Sequence, residues 1–122
     1  MADAKLGAAE GRFADLIWQN EPLSSSLLAK LAEEELGWKK STSYTVLKRL
    51  CDRGIFTNQQ GTVRSLLSRE EFYAARGEQF LQEGFQGSLP AFLAAFSKRN
   101  KLSDQDIQEL QELIQQMRRE SK

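Results

Sequence analysis

Trp38-Lys39-Lys40-Ser41-Thr42-Ser43-Tyr44-Thr45-Val46-Leu47-Lys48-Arg49-Leu50-Cys51-Asp52-Arg53-Gly54 is the stretch that decides the fold. Wound as a helix, it places Ser43, Val46, Leu47, Leu50 and Cys51 on one face and Ser41, Tyr44, Thr45, Lys48 and Asp52 on the opposite one. The apolar face requires a core beneath it, while the other presents hydroxyls, a phenol and a cation to solvent. Ser41 is the predicted N-cap, and Gly54 the predicted stop. From Trp38 to Arg64 the chain carries Lys39, Lys40, Lys48, Arg49, Arg53 and Arg64 against Asp52 alone, a local excess of five positive charges where the totals balance at 17 and 17. Such a patch is the electrostatic footprint of a nucleic-acid contact surface.

Upstream, Phe13, Leu16 and Ile17 recur at helical spacing between about Ala8 and Asn20, and Asn20-Glu21-Pro22 breaks the pattern. Ser24-Ser25-Ser26 offers caps for a second helix bearing Leu27, Leu28, Leu31 and Leu36, with Gly37 as its left-handed end. Downstream of Gly54 the period shortens. Ile55-Phe56-Thr57-Asn58 and Val63-Arg64-Ser65-Leu66-Leu67 read as strands joined through Gln59-Gln60-Gly61-Thr62, a two-stranded wing. Three helices and a hairpin in this order form the winged helix-turn-helix pattern, with the third helix in the recognition position.

The remainder reads as helix. Ser68-Arg69-Glu70-Glu71 is a capping box opening a fourth helix with Phe72, Ala75, Gln79, Phe80 and Phe85 along it. Ser88-Leu89-Pro90 opens a fifth helix, rich in Ala91, Phe92, Ala95 and Phe96, that closes on Lys98-Arg99-Asn100-Lys101. A last helix begins at Ser103, its stripe formed by Ile107, Leu110, Leu113, Ile114 and Met117. The expected architecture is mainly α with a small β-hairpin: a winged helix-turn-helix over residues 1–68 and a helical dimerisation arm over residues 69–122.

With 122 residues, 40% of them hydrophobic and 28% charged, the composition suits one globular folding unit with an appendage. No run of about 18 apolar residues suggests a membrane span, and Met1-Ala2-Asp3-Ala4-Lys5 lacks the apolar run of a signal peptide, so a cytoplasmic location is expected. Cys51 is the sole cysteine and there is no histidine, which removes the internal disulfide, the commonest general base and the commonest metal ligand. There is no nucleophile–base pair, metal cluster or phosphate-cradling glycine loop, so neither an enzyme nor a cofactor or metal is expected. Cys51 lies on an apolar face and is assigned no redox role.

Phe13-Ala14-Asp15-Leu16-Ile17-Trp18 with Pro22-Leu23 after it, the Trp38–Leu50 string, Gly87-Ser88-Leu89 and Leu102-Ser103 together resemble the BlaI/MecI family of β-lactamase (penicillinase) and methicillin-resistance repressors, from about Leu6 to Met117. The resemblance implies a homodimeric transcriptional repressor of inverted-repeat operator DNA, with the third helix in the major groove and the C-terminal helices interleaved between subunits. It also implies antibiotic-response genes, and induction by a membrane sensor-protease system that leads to cleavage in the arm. The family's cleaved bond is typically asparagine–phenylalanine; the equivalent position here is Ala95-Phe96. The copper-responsive branch carries a C-terminal cysteine cluster, whereas the sequence here reads Met117-Arg118-Arg119-Glu120-Ser121-Lys122, so metal sensing of that kind is not expected. The wing also departs from the tyrosine-rich, proline-ended family version.

DNA recognition requires short polar side chains at base edges and cations at phosphates. Ser41, Thr42, Tyr44 and Thr45 are the candidates for bases or nearby backbone, and Lys39, Lys40 and Lys48 for phosphates. Arg49 could serve either or pair with an acid, and Arg64 would be the wing's contact. The last-helix stripe supplies the dimer interface, unless that helix folds back on its own subunit. A winged helix that binds only proteins, with no DNA role, is the alternative, and a ligand-sensing regulator is a third reading for which no polar cluster is evident.

Overall fold

A computed structural model describes residues 6–121; Met1-Ala2-Asp3-Ala4-Lys5, read above for targeting, and Lys122 lie outside the described residues. Helix α1 (Ala8–Asn20) follows Gly7, which has no capping side chain. Glu10 reaches back instead and accepts the Gly7 N–H at 3.2 Å. Its Phe13, Ala14, Leu16 and Ile17 are buried, at the spacing of three and four that puts them on one face. After the short strand β1 (Leu23–Ser24), α2 (Ser25–Leu36) is capped by Ser24 Oγ, which accepts the Leu27 N–H at 3.0 Å. It closes on Gly37 at φ +71°, whose N–H donates to the Glu33 carbonyl at 3.1 Å, an αL ending, and Trp38 N–H donates to the Ala32 carbonyl at 3.3 Å.

Helix α3 (Lys40–Asp52) begins earlier than the expected Ser41 cap allows. Lys39 holds the extended N-cap position without a side-chain bond, and Ser41 lies inside the first turn. Tertiary packing supplies the reason: Trp38 stacks on Phe13, centroids 5.1 Å apart, so the chain entering the helix is held by the core rather than by a hydroxyl. Gly54, at φ +80°, follows the end of the helix.

Strands β2 (Phe56–Gln59) and β3 (Thr62–Ser65) are joined by Gln60 and Gly61, both at positive φ, 54° and 83°, as a tight two-residue hairpin of type I′ requires. Leu66 and Leu67 fall outside β3. The sheet is three-stranded, in the order β1-β3-β2, and not the two-stranded wing expected from sequence. Leu23 pairs with Val63 and Ser24 with Thr62, so β3 is the central strand.

Phe13, Ile17, Leu28, Leu50, Phe56, Val63 and Phe72 are the largest apolar side chains to be completely buried in the core. Phe72 belongs to α4 (Arg69–Phe85), whose capping box forms as the sequence implies: Glu71 N–H donates to Ser68 Oγ at 3.0 Å and Ser68 N–H to Glu71 Oε1 at 2.9 Å. Trp18 lies against Phe56, Phe72 and Tyr73 and donates its indole N–H to the Leu67 carbonyl at 2.9 Å. Arg69 bridges to Asp15 at 2.8 Å. These contacts tie the first turns of α4 to α1, and burying Phe72 contributes roughly 2–3 kcal/mol.

Two compact units result, one ending at Gln79 and the other running from Phe80, so Arg69–Gln79 belongs with the winged helix. The second unit holds the end of α4, α5 (Leu89–Arg99) and α6 (Asp104–Glu120). Ser88 caps α5 at the Ala91 N–H and Ser103 caps α6 at the Asp106 N–H. Phe80, Phe85, Phe92 and Phe96 form a chain of edge and tilted ring contacts, 5.4 to 6.0 Å between centroids. Yet no residue of α5 or α6 is fully buried.

Candidate nucleic-acid interface

Ser43, Val46, Leu47 and Leu50 seat α3 on the core, and this fixes which side chains point away from it. Lys39, Lys40, Ser41, Thr42, Tyr44, Thr45, Lys48 and Arg49 are all exposed. The structure therefore brings every α3 residue singled out from sequence onto one solvent-facing surface of about three turns. Arg64 projects from β3 opposite Thr57 and is also exposed; with Gln59, Gln60 and Thr62 it lines an open, polar concavity at the wing. A second cleft runs between α3 and β2, lined by Tyr44, Leu47, Lys48, Cys51, Asp52 and Asn58.

The cations differ in how they are held. Lys48 Nζ lies 3.1 Å from Asp52 Oδ2 one turn along, with side chains 78% and 66% exposed. A pair that wet is worth only a few tenths of a kcal/mol and yields readily to a stronger anion. Arg49 is different. Its Nη1 donates to Glu10 Oε2 at 2.9 Å, and the glutamate side chain is 22% exposed. Arg49 thus pairs with an acid, and its partner lies on α1, 39 residues away.

Three residues that shape this surface were not evident from sequence: Glu10, Glu21 and Trp18. Glu21 accepts from Ser65 N–H at 2.8 Å and from Ser65 Oγ at 2.7 Å, fastening the end of β3 to the residue after α1. No local spacing signals these contacts, because each partner lies more than 35 residues away. Cys51 is half-buried; desolvation first, then the Asp52 carboxylate, push its thiol above its ordinary pKa, the reverse of what a reactive cysteine needs. Among the described residues, no group of three or more histidine, cysteine, aspartate and glutamate side chains could hold a metal ion.

In the second unit, Ile107, Leu113, Ile114 and Met117 of α6 are 41 to 54% exposed, and Leu110 is half-buried. Ala95 and Phe96 lie inside α5, both exposed, with Phe96 against Phe92 at 5.8 Å. Among the described residues, no helix is long and apolar enough to cross a membrane.

A helical core closed by a small antiparallel sheet, with an outward third helix bearing hydroxyls and cations and further helices after it, defines a winged helix-turn-helix protein with a helical extension. The comparison with known sequences narrows this class. The family model described as penicillinase repressor matches residues 6–116, and the chain belongs to that family. It is similar to the penicillinase repressor of Bacillus licheniformis, 20% identical over 122 residues covering 97% of this chain and 95% of the other. It is also similar to the methicillin resistance regulatory protein MecI of Staphylococcus aureus strain N315, 18% identical over 114 residues covering 90% and 93%. The chain is accordingly a transcriptional repressor of the BlaI/MecI type and not an enzyme.

Proposed function

We propose that two copies of this chain bind an inverted-repeat operator, each placing α3 in a major groove and its wing beside the backbone, and so block transcription in the cytoplasm. The observation that carries this reading is the outward surface of α3, where Ser41, Thr42, Tyr44 and Thr45 are all exposed. Short hydroxyl side chains there can reach base edges. Lys39 and Lys40 at the start of the helix and Lys48 near its end are placed to take phosphates on either side, with Arg64 reaching backbone or minor groove from the wing. The division of labour is between the winged helix, with Arg69–Gln79 packed against it, and a dimerising arm formed by the unit that runs from Phe80.

Dimerisation is supported by the second unit. Ile107, Leu113, Ile114 and Met117 on α6, together with Phe80, Leu89 and Phe96, remain exposed in the single chain. So much exposed apolar surface calls for a partner, and a symmetric second copy supplies one while setting two reading helices at the spacing of half-sites. Antibiotic-response genes, in keeping with the names of the relatives, are the proposed targets. Induction by a sensor-protease acting at Ala95–Phe96 requires α5 to unwind locally, because proteases take extended chain and this bond lies in the middle of a helix.

The test is fluorescence anisotropy with the duplex upstream of the gene and a scrambled duplex of the same length. Wild-type protein is expected to prefer the former, and Lys40→Gln/Lys48→Gln to lose affinity for both. Equal weak binding to both duplexes by wild type refutes the operator reading and favours a protein-binding winged helix.

A further inference from the structure

Arg49 is the one α3 cation named above whose side chain crosses to another helix. Its guanidinium meets Glu10 Oε2 at 2.9 Å, while the other carboxylate oxygen of Glu10 accepts the Gly7 N–H at 3.2 Å. One carboxylate therefore closes the N-terminus of α1 and grips the last turn of α3 at once. Both placements suit the helix dipoles, an acid at the start of α1 and a cation at the end of α3. On the helical wheel Arg49 and Thr42 lie on the flank of α3 nearest α1, and Ser41, Thr45 and Lys48 lie at the centre of the outward face.

We infer that Glu10 and Arg49 are a positioning pair that sets the rotation of α3 about its own axis, and that Arg49 contacts neither base nor phosphate. This rests on the operator-binding reading above. The apolar contacts of Val46, Leu47 and Leu50 hold α3 on the core but tolerate small rotations; an ion pair at one flank selects among them. Rotating the helix moves Ser41 and Thr45 relative to base edges, where hydrogen bonding is strict in distance and angle, while long lysines follow the phosphates. Loss of the pair therefore lowers discrimination and leaves the charge-driven part of binding intact. Direct phosphate contact by Arg49 predicts the opposite sign for Glu10, which would then compete with DNA for the guanidinium.

The experiment is a double-mutant cycle on the full chain, Glu10→Gln, Arg49→Gln and both together, with operator and scrambled duplexes titrated by anisotropy over a salt series. Each single substitution is expected to weaken operator binding about threefold per half-site, the scale of a partly exposed ion pair. For a symmetric dimer that becomes about tenfold, with scrambled-duplex binding and the salt slope unchanged and the double variant no worse than either single one. Tighter binding by Glu10→Gln, or a flatter salt slope for Arg49→Gln, overturns the inference and makes Arg49 a phosphate ligand. Equal binding of both duplexes by wild type removes the operator reading itself, and the inference with it; because that outcome is read on the unmutated protein, the two failures are separable.

Discussion

Raising the salt concentration fourfold, from about 50 to about 200 mM, weakens operator binding by an amount that follows from the number of phosphates neutralised. Lys39, Lys40, Lys48 and Arg64 are exposed on the α3 and wing surfaces, which gives about eight contacts for a dimer and a log–log slope of about −7. The fourfold rise then costs about four orders of magnitude in affinity. Lys48→Gln removes one contact per subunit, so the slope becomes shallower by about 1.8 and the same rise costs roughly tenfold less. The Lys48–Asp52 bridge does not spoil this arithmetic, since both side chains are mostly in water and the bridge is surrendered at little cost. Anisotropy titrations at five or six salt concentrations, with the anion held constant, measure both slopes. A wild-type slope shallower than about −3, or one that Lys48→Gln leaves untouched, refutes the assignment of these cations to phosphate.

Ser43 is 2% exposed and its hydroxyl has no hydrogen-bond partner; Ser43→Ala removes that desolvation penalty and improves helix propensity, and is expected to add about 1 kcal/mol, or roughly 4 °C in a melting curve followed by circular dichroism. Ile114→Glu places a carboxylate in the proposed dimer seam and should weaken self-association about thirtyfold or more, read by sedimentation equilibrium, while a chain that stays dimeric excludes that stripe as the interface. Glu71 accepts first the Ser68 backbone N–H and then a bond from its side chain, which hold it below its usual 4.5. A depressed pKa means the cap's contribution is complete above the unfolded value and lost as pH falls through the folded one, so a carboxyl NMR titration should place Glu71 below 4.5 and Ser68→Ala should bring it back up.

Helix ends were legible because their signals are local. Ser24, Gly37, the Ser68–Glu71 box, Ser88 and Ser103 act within a few residues of themselves, and each stands where the sequence put it. Ser41 misled for the converse reason. Trp38 stacking on Phe13 fixes where α3 begins, and that contact spans 25 positions. Strand β1 has only two residues, too few to show any period, and exists because β3 returns to pair with it. The outward residues of α3 could be read from periodicity alone. What each cation does could not, since the Glu10–Arg49 and Glu21–Ser65 contacts are created only by folding.

The central position of β3 means that the hairpin is not a detachable cassette. Its inner edge is completed by Leu23 and Ser24, and Ser25 N–H at the start of α2 donates to the Gly61 carbonyl at the hairpin tip, 2.8 Å away. Exchanging residues 56–65 for those of a relative would therefore graft a strand onto a foreign neighbour. A chimera that transplants the wing's DNA preference needs residues 21–25 to travel with it, even though about thirty residues of chain separate the two segments.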